Sequence, residues 1–315
     1  MRIVVVGPGA LGCLLAGLLS KKAEVWLLDR DPVRAERILK NNGISCSGVS
    51  GKWQAAVPST AKTEDIGQTD LVIICTKAYH TKEAIRFAKP LVSSTTVVLT
   101  LQNGLGNAEI IAEVVGEDNV LVGTTQQGVT LVGEAKIEHT GEGDTIIGHL
   151  GGKNPVALRH IREVFNKAKI KTNLSSNIKG VVWSKLVMNA GINALSALTR
   201  LKNGQLLQYD ETADILRAAV TEAVKVAKKK RVKLIYDDPL AKVEAVCEAT
   251  AGNLSSMLQD VLAKRRTEVD FINGVIVRQG KSVGVSTPVN FTLYNVVKAI
   301  ESSYGQAVNT RPSDK

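Results

Sequence analysis

A glycine loop near the start of the chain constrains the fold more than any other feature. It directly follows a β-branched run, Ile3–Val6, and precedes an apolar stretch with helical character. The loop has the spacing G-x-G-x-x-G and consists of Gly7, Pro8, Gly9, Ala10, Leu11 and Gly12. In a βαβ unit such glycines permit a tight turn and let the backbone approach a pyrophosphate at the helix N-terminus. We therefore predict dinucleotide binding, and the alternative is a tight strand–helix turn without a ligand.

The first half of the chain alternates β-branched runs with helical patterns, which predicts a parallel sheet wrapped by helices. Strands are predicted at Ile3–Val6, Glu24–Asp29, Leu71–Thr76, Thr96–Leu101 and Asn119–Gly123. Helices are predicted at Ala10–Ser20, Pro32–Asn41, Thr81–Ala88 and Asn107–Val115. Glycine-punctuated strands between Thr124 and Gly148 predict an antiparallel extension of this sheet. A helix over Pro155–Ala168 and a strand near Ile170–Asn173 complete this half.

The second half is helical nearly throughout, with helix start signals at Asp238-Pro239, at Asn253 and at Thr287-Pro288. We therefore predict an α/β chain with two domains. Residues 1–176 form a Rossmann-type, doubly wound parallel sheet with an antiparallel extension. Residues 177–307 form an all-helical domain, and residues 308–315 form a polar tail.

Composition narrows the classes of ligand and the cellular location. The net charge of +10 suits an anionic ligand, but the basic residues are scattered among 30 acidic ones, and no zinc-finger or RNA-binding pattern occurs. The four cysteines have no metal or redox spacing, so we expect reduced thiols and no metal site. The N-terminus lacks a signal-peptide pattern, and no run approaches the length of a membrane span. We therefore expect a soluble, cytoplasmic protein that binds neither nucleic acid nor a membrane.

The end of the second predicted strand leaves the choice of cofactor open. Asp29 and Arg30 are adjacent there. An acidic residue at this position accepts hydrogen bonds from the ribose of NAD, whereas an arginine pairs with the 2′-phosphate of NADP. The alternative for Arg30 is an exposed arginine that opens the next helix.

Two further loops follow predicted strands, and ligands of open α/β sheets bind at the carboxyl ends of strands. One contains Lys77 and the other contains Asn103-Gly104. Asn103 either binds a ligand near the nicotinamide or serves only as a turn residue.

A predicted helix over Val181–Leu198 is apolar except for a narrow polar stripe. Lys185, Asn189, Asn193 and Ser196 fall within an arc of roughly 80° when each residue advances by about 100°. Buried amides and an ammonium lose hydration energy unless polar groups meet them. The stripe therefore predicts a site that holds a small polar substrate, and the alternative is a structural hydrogen-bond network.

Several motifs occur together in a fixed order along the chain. They are the glycine loop, the loops TKAYH and LQNGLGN, the segment WSKLVMNAGIN, and the segment NLSSMLQDVLAKRRTEVD with the later Ile272-Asn273-Gly274 and Ser286-Thr287-Pro288. This combination, which extends from Met1 to about Tyr304, resembles the ketopantoate reductase (2-dehydropantoate 2-reductase) family. The resemblance implies a Rossmann domain, a helical C-terminal domain and an active site in the cleft between them. It also implies that NADPH reduces 2-dehydropantoate, a small 2-keto acid, to (R)-pantoate in pantothenate biosynthesis.

The resemblance assigns roles to the matching residues. It implies that Lys185 donates a proton to the ketone oxygen and that Glu268 lies beside the reacting groups. Positions that match substrate contacts are Asn103, Lys185, Asn189, Asn193, Asn203, Asn253 and Ser256. Positions that match cofactor contacts are Gly7, Pro8, Gly9, Ala10, Leu11, Gly12, Arg30, Lys77, Asn103, Val129 and Glu268.

The sequence leaves alternatives open for three of these residues and for the activity. Asn253 and Ser256 are also favourable helix N-caps, and Glu268 could be a solvated helix position beside a basic run. The chain could reduce another branched 2-keto acid or an imine, or it could be a non-catalytic NADP sensor. The set of Lys185, Asn189, Asn193 and Glu268 argues against a sensor, which needs no buried proton donor. The sequence leaves open whether the chain forms a homodimer.

Overall fold

The computed structural model describes residues 1–151 and 156–306. Contacts divide the chain into two compact units, Met1–Val182 and Trp183–Lys315, which are described one at a time. The sequence predicts a boundary near residue 176, whereas the contacts divide the chain after Val182. The reason is that Ile178 and Val181, in the first turns of a long helix, pack into the core of the first unit. The predicted tail, residues 308–315, and Pro155 lie outside the described residues.

The first unit alternates strands and helices. Its described strands are β1 (Arg2–Val6), β2 (Glu24–Leu28), β3 (Ile44–Gly48), β4 (Trp53–Ala55), β5 (Ser59–Thr60), β6 (Leu71–Ile74), β7 (Val97–Thr100), β8 (Val120–Thr125), β9 (Gly128–Gly133), β10 (Lys136–Gly141), β11 (Thr145–His149) and β12 (Thr172–Leu174). Its described helices are α1 (Ala10–Leu19), α2 (Pro32–Lys40), α3 (Thr81–Ala88), α4 (Asn107–Val115) and α5 (Val156–Lys167).

The main sheet confirms the predicted fold class. Among the described strands its order is β12-β11-β8-β7-β6-β1-β2-β5, so the chain starts in the middle of the sheet and moves out to both edges. Neighbouring strands from β8 to β5 are parallel. Strand β11 pairs antiparallel with β8 and is the antiparallel extension. This arrangement is a doubly wound sheet of the Rossmann type.

Strands β9 and β10 differ from the prediction, because they do not extend the main sheet. They belong to a separate four-stranded sheet with the order β4-β3-β10-β9, in which Ile137 of β10 is in register with Cys46 of β3. Strands β3 and β4 are not predicted from the sequence, because β3 consists largely of small residues and β4 is only three residues long. Such segments lack the β-branched runs that indicate a strand.

Both faces of the main sheet are buried. Along β1, Ile3 and Val5 join a core cluster with α1, α2 and α5, whereas Val4 and Val6 join a second cluster with α3 and α4. Because successive side chains of a strand point to opposite faces, a sheet covered on both sides needs a continuous apolar run. Because β2, β1, β6 and β7 are parallel neighbours, the loops that follow them all lie at the edge formed by the carboxyl ends of these strands.

No strand occurs among the described residues of the second unit, which confirms the prediction of a helical domain. Its helices are α6 (Ile178–Thr199, which begins in the first unit), α7 (Asp210–Lys229), α8 (Pro239–Ala249), α9 (Ser256–Leu262), α10 (Asn273–Ser282) and α11 (Pro288–Ser303). The predicted starts at Asp238 and Thr287 are confirmed, and each precedes a proline at the first helical position. The predicted start at Asn253 is wrong, because α9 begins after Ser255.

Helix α6 is apolar and long. By length and composition it is the single helix of residues 1–151 and 156–306 that could cross a membrane, although the sequence analysis expects no run of that length. Most of it is buried inside the protein, as expected for a helix that is apolar on most sides. Helix α6 is thus a core helix.

Candidate active site

Only glycine fits at the two ends of the glycine loop. Gly7 has a φ of +97°, and a Cβ atom on it would lie 2.8 Å from Cγ2 of Thr76. A Cβ atom on Gly12 would lie 2.1 Å from the carbonyl oxygen of Gly7. These two glycines therefore form the tight turn and the close packing of helix α1 on strand β1.

The middle of the glycine loop has room for a ligand. A Cβ atom on Gly9 would have only the carbonyl oxygen of Cys75 nearby, at 4.0 Å. Gly9 is the N-cap of α1, no side chain caps this helix end, and its first turn contains no acidic residue. The first N–H groups of α1 are therefore not satisfied by a capping side chain, and the helix dipole favours an anion there. This cradle fits the pyrophosphate of a dinucleotide.

Asp29 and Arg30 have different environments. Asp29 is 2% exposed, and the guanidinium of Arg34 binds its carboxylate with both Nε and Nη2, the latter donating to Oδ1 at 2.6 Å. Oδ1 also accepts the backbone N–H of Asp31 at 3.2 Å. The side chain of Arg30 is 65% exposed, and its Nη1 lies 3.6 Å from Oε2 of Glu83. The sequence leaves open which of these two residues contacts the cofactor. In the structure, the side chain of Asp29 is bound inside the protein and that of Arg30 is exposed.

One glutamine joins the loops that follow β6 and β7. Nε2 of Gln102 donates to the carbonyl oxygen of Thr76 at 2.8 Å and to the hydroxyl of Thr81 at 2.9 Å. Lys77 and Asn103 are the direct neighbours of these bonded residues, and both are half-buried. The hydrogen bonds of Gln102 therefore fix the two candidate cofactor loops to each other. No signal in the sequence indicated this role of Gln102.

Val129 lies in the smaller sheet rather than at the edge of the main one. It belongs to β9 and is in register with His139 of β10. His139 is buried, its Nε2 lies 2.7 Å from Oε1 of Gln127, and burial lowers the pKa of its imidazole. These contacts tie the turn before Val129 to the neighbouring strand.

In the second unit, the polar stripe of α6 carries a perturbed lysine. Lys185 is half-buried, and the loss of hydration lowers the pKa of its ammonium to about 8, while the negative charge of Glu268 opposes this change. Asn189 and Asn193 follow Lys185 at steps of four residues and therefore share its helix face. Asn189 is half-buried and Asn193 is 5% exposed. The unit thus combines an ammonium of lowered pKa with a nearby carboxylate and two amides.

Two serines of α6 have structural partners. Oγ of Ser196 lies 2.6 Å from Oγ of Ser255, whose hydroxyl caps α9 by accepting the N–H of Leu258 at 3.0 Å. Oγ of Ser184 accepts the N–H of Ile235 at 3.0 Å. A structural hydrogen-bond network therefore explains Ser196, the last residue of the predicted stripe.

Asn203 and Asn253 lie together. The N–H of Asn203 donates to the carbonyl oxygen of Asn253 at 3.1 Å, and Nδ2 of Asn203 donates to Oγ1 of Thr250 at 2.9 Å. Oδ1 of Asn203 is buried and has no hydrogen-bond partner within the described parts of the chain. Because such an acceptor costs about 1–3 kcal/mol, it fits a donor on a ligand.

Helix capping does not explain Asn253, which precedes α9, or Ser256, which lies in it. Ser255 supplies the cap, so the alternative of N-capping by Asn253 or Ser256 is wrong. Both candidates are exposed, and Ser256 is the first residue of α9. Their side chains are therefore accessible to a ligand.

Glu268 lies in a turn that helix α11 holds in place. It is 6% exposed and precedes a 3-10 turn, Val269–Phe271, so the alternative of a solvated helix position is wrong. On one side of it, Thr267 donates through its N–H and hydroxyl to Oε1 of Glu301, both at 2.6 Å. On the other side, Oδ2 of Asp270 accepts from Nζ of Lys298 at 3.2 Å. These two anchors fix the backbone that carries Glu268.

A buried network of asparagines, which no sequence pattern predicts, supports the backbone of α6. Nδ2 of Asn273 donates to the carbonyl oxygen of Ala190 and to Oδ1 of Asn290, both at 3.0 Å. Nδ2 of Asn290 donates to Glu222 at 2.8 Å. Ala190 directly follows Asn189, so the network holds the middle of the helix that carries the stripe. Its members are far apart in sequence, and no local pattern links them.

The candidates divide between the units. The cofactor candidates belong to the first unit except Glu268, and the substrate candidates belong to the second unit except Asn103.

Family models match both halves of the chain. Residues 3–152 match the model described as ketopantoate reductase PanE/ApbA, and residues 177–301 match the model of its C-terminal part. The 2-dehydropantoate 2-reductase of Pyrococcus horikoshii is 36% identical over 308 residues, which cover 97% of this chain and 99% of that protein.

Solved structures show the same fold over nearly the whole chain. A ketopantoate reductase of the PanE/ApbA family from Ralstonia eutropha has a TM-score of 0.89 at 29% identity, with 97% of this chain and 100% of that chain covered. D-mandelate dehydrogenase in complex with NADH and anilino(oxo)acetate has a TM-score of 0.89 at 28% identity, with the same coverage. The motifs, the doubly wound sheet and these matches agree, and the chain belongs to the ketopantoate reductase family.

Proposed function

We propose that this protein reduces 2-dehydropantoate to (R)-pantoate with NADPH, as a cytoplasmic oxidoreductase of pantothenate biosynthesis. The observation that carries the proposal is the environment of Lys185. A half-buried ammonium with a pKa of about 8 lies under the influence of Glu268 and shares a helix face with Asn189 and Asn193. A lysine that only filled space in an apolar core would need neither the carboxylate nor the amides.

The protonation state of Lys185 suits a general acid. Reduction of a ketone adds a hydride to carbon and a proton to oxygen, and negative charge develops on that oxygen. Lys185 stabilises this charge and donates the proton from Nζ, and its lowered pKa makes it a readier acid than an exposed lysine. Glu268 keeps enough positive charge on Lys185 at neutral pH for this role.

The amides give the substrate its orientation. In this proposal Asn189 and Asn193 bind the carboxylate and the keto group without adding charge. The buried Oδ1 of Asn203 accepts a hydrogen bond from the 4-hydroxyl of the substrate, and the accessible side chains of Asn253 and Ser256 complete the set.

The first unit holds the cofactor in this proposal. NADPH supplies the hydride when it is bound. The cradle at Gly9 takes the pyrophosphate, and the exposed Arg30 takes the 2′-phosphate. Lys77, Asn103 and Val129 contact the remainder of the dinucleotide. The residues of the glycine loop fit this group because the space at Gly9 is free and the N-terminus of α1 lacks a capping side chain.

Steady-state kinetics with matched keto acids test the substrate. The analogue 3,3-dimethyl-2-oxobutanoate differs from 2-dehydropantoate only by the missing hydroxyl. We expect kcat/KM for this analogue to be lower by at least about a hundredfold. A site built to accept a hydrogen bond from a substrate hydroxyl rejects an analogue without that hydroxyl. Phenylglyoxylate, the keto acid related to mandelate, serves as the competing aromatic substrate. Equal kcat/KM for either analogue would refute the proposed substrate, and binding of NADPH without turnover of any keto acid would indicate a sensor.

The Arg30→Ala variant tests the choice of cofactor. We expect KM for NADPH to rise about tenfold, because a charge-assisted bond to the phosphate is lost. KM for NADH should change by less than about twofold, since NADH carries no 2′-phosphate. The measurement is the initial rate at varied concentrations of each cofactor with saturating keto acid. A similar rise for both cofactors would contradict the assignment of Arg30.

A further inference from the structure

The ion pair of Asp29 and Arg34 occupies the position that governs cofactor choice in dinucleotide-binding folds. A carboxylate at the end of the second strand accepts a hydrogen bond from the ribose hydroxyl of NAD. The same charge repels the 2′-phosphate of NADP, because like charges within a few ångströms disfavour each other. Asp29 directly follows β2, and its N–H donates to the carbonyl oxygen of Thr60 at 3.0 Å. The backbone of Asp29 therefore still pairs with the neighbouring strand β5.

The carboxylate of Asp29 is fully engaged inside the protein. Nη2 of Arg34 donates to Oδ1 at 2.6 Å, Nε of Arg34 donates to Oδ2, and the N–H of Asp31 donates to Oδ1 at 3.2 Å. With only 2% of Asp29 exposed, a ribose hydroxyl could bind this carboxylate only after the arginine fork had opened. The guanidinium also neutralises the charge that would oppose a phosphate.

The position of Arg34 is fixed by local structure at the start of α2. Asp31 is the N-cap of this helix, and its Oδ1 accepts the N–H groups of Val33 at 3.0 Å and of Arg34 at 3.2 Å. Pro32 occupies the first helical position, where its ring suits the helical backbone. The first turn of α2 is thus set by its own cap and presents Arg34 to Asp29. Arg30, one residue after Asp29, stays exposed.

We propose that Arg34 is a specificity residue for the cofactor. By holding Asp29 in a bidentate ion pair, it removes the acceptor that would favour NADH and the negative charge that would disfavour NADPH. Arg30 then binds the 2′-phosphate without competition from the carboxylate of Asp29. This inference rests on the proposed preference for NADPH and adds the residue that makes an acidic strand end compatible with it.

Two variants separate the effect on the carboxylate from the charge of Arg34 itself. Arg34→Gln releases the carboxylate of Asp29, whereas the double variant Asp29→Asn/Arg34→Gln lacks the same arginine but has no carboxylate to release. The measurement is the dissociation constant of each reduced cofactor by isothermal titration calorimetry. We expect the preference for NADPH over NADH to fall about tenfold or more in Arg34→Gln. In the double variant we expect it to stay within about threefold of the wild type, because Arg30 is intact.

A neighbouring arginine and a conservative variant complete the test. Arg37→Gln removes a positive charge from the same helix without touching Asp29, since Arg37 pairs with Glu134 at 2.7 Å, and it should leave the ratio unchanged. If Arg34→Gln does not fold, Arg34→Lys keeps the charge but cannot form the fork, and a smaller fall in the same direction is expected.

The outcomes distinguish this inference from the proposed function. An equal fall in Arg34→Gln and in the double variant would overturn the inference, because Arg34 would then act through its own charge on the phosphate. An unchanged ratio in both Arg34→Gln and Arg34→Lys would also overturn it, while a wild type that prefers NADPH would leave the proposed function standing. A wild type that binds NADH more tightly would refute the proposed cofactor itself.

Discussion

Replacement of Lys185 by alanine is expected to lower kcat by about 10²–10⁴, the usual contribution of a positioned general acid. The dissociation constant of NADPH should stay close to that of the wild type, because the glycine loop and Arg30 belong to the other unit. The measurement is kcat with saturating 2-dehydropantoate and NADPH. The same assay with the cofactor deuterated at the transferred hydrogen shows whether chemistry limits the rate.

A matched control for this variant lies on the same helix. Lys179 is exposed in the first turn of α6, so Lys179→Ala removes an equal charge without touching the stripe, and its kcat should match the wild type. If Lys185→Ala retained near-full kcat while an isotope effect showed that chemistry is rate-limiting, another group would have to be the proton donor.

The pH dependence of the wild type should carry the signature of the same lysine. A general acid must be protonated, so kcat/KM should be level below the pKa of Lys185, about 8, and fall above it. Glu268 raises this pKa against the effect of burial. Glu268→Gln should therefore move the falling limb to lower pH. A limb that stayed in place in Glu268→Gln would show that another group controls it.

Much of the fold could be predicted because its signals are local. Strands β1, β6 and β7 of the main sheet contain β-branched runs, and the glycine loop at Gly7 directly follows β1. Strands β3 and β4 escaped prediction because they lack β-branched runs, and the pairing of β3 with β10 depends on distant parts of the chain. For the same reason the prediction places β9 and β10 in the main sheet, whereas both belong to the smaller one.

The candidate site was predictable where polar residues interrupt an apolar helix, as Lys185 and Asn193 do in α6. It was not predictable where a role depends on a long-range partner. The ion pair of Asp29 and Arg34 depends on the cap geometry at the start of α2. The residue types next to Asp29 in the sequence do not indicate that pair. Likewise, the bond from Asn273 to Ala190 joins residues 83 positions apart.

Alanine substitutions at Gly9 and Gly12 should differ in their effect on stability, and together they distinguish a phosphate cradle from a turn without a ligand. In Gly12→Ala, the new Cβ would lie 2.1 Å from the carbonyl oxygen of Gly7. Backbone cannot move away as a flexible side chain can, so we expect a large fall in the melting temperature and loss of cofactor binding.

Gly9→Ala should fold as well as the wild type and still lose cofactor affinity. Gly9 has a φ of −75°, which any residue can adopt, and its Cβ would have only the carbonyl oxygen of Cys75 at 4.0 Å. Alanine lowers the entropy of the unfolded chain but is a poorer N-cap than glycine, so the stability of Gly9→Ala should stay within about 1 kcal/mol of the wild type.

The added methyl group of Gly9→Ala would occupy the space proposed for the pyrophosphate. Overpacking of this kind costs about 1–3 kcal/mol, so the dissociation constant of NADPH should rise about tenfold to a hundredfold. Thermal denaturation and calorimetry on the same samples measure both effects. If Gly9→Ala bound NADPH as tightly as the wild type, the loop would be a turn without a ligand, because the methyl group can lower the affinity only where the cofactor approaches the backbone.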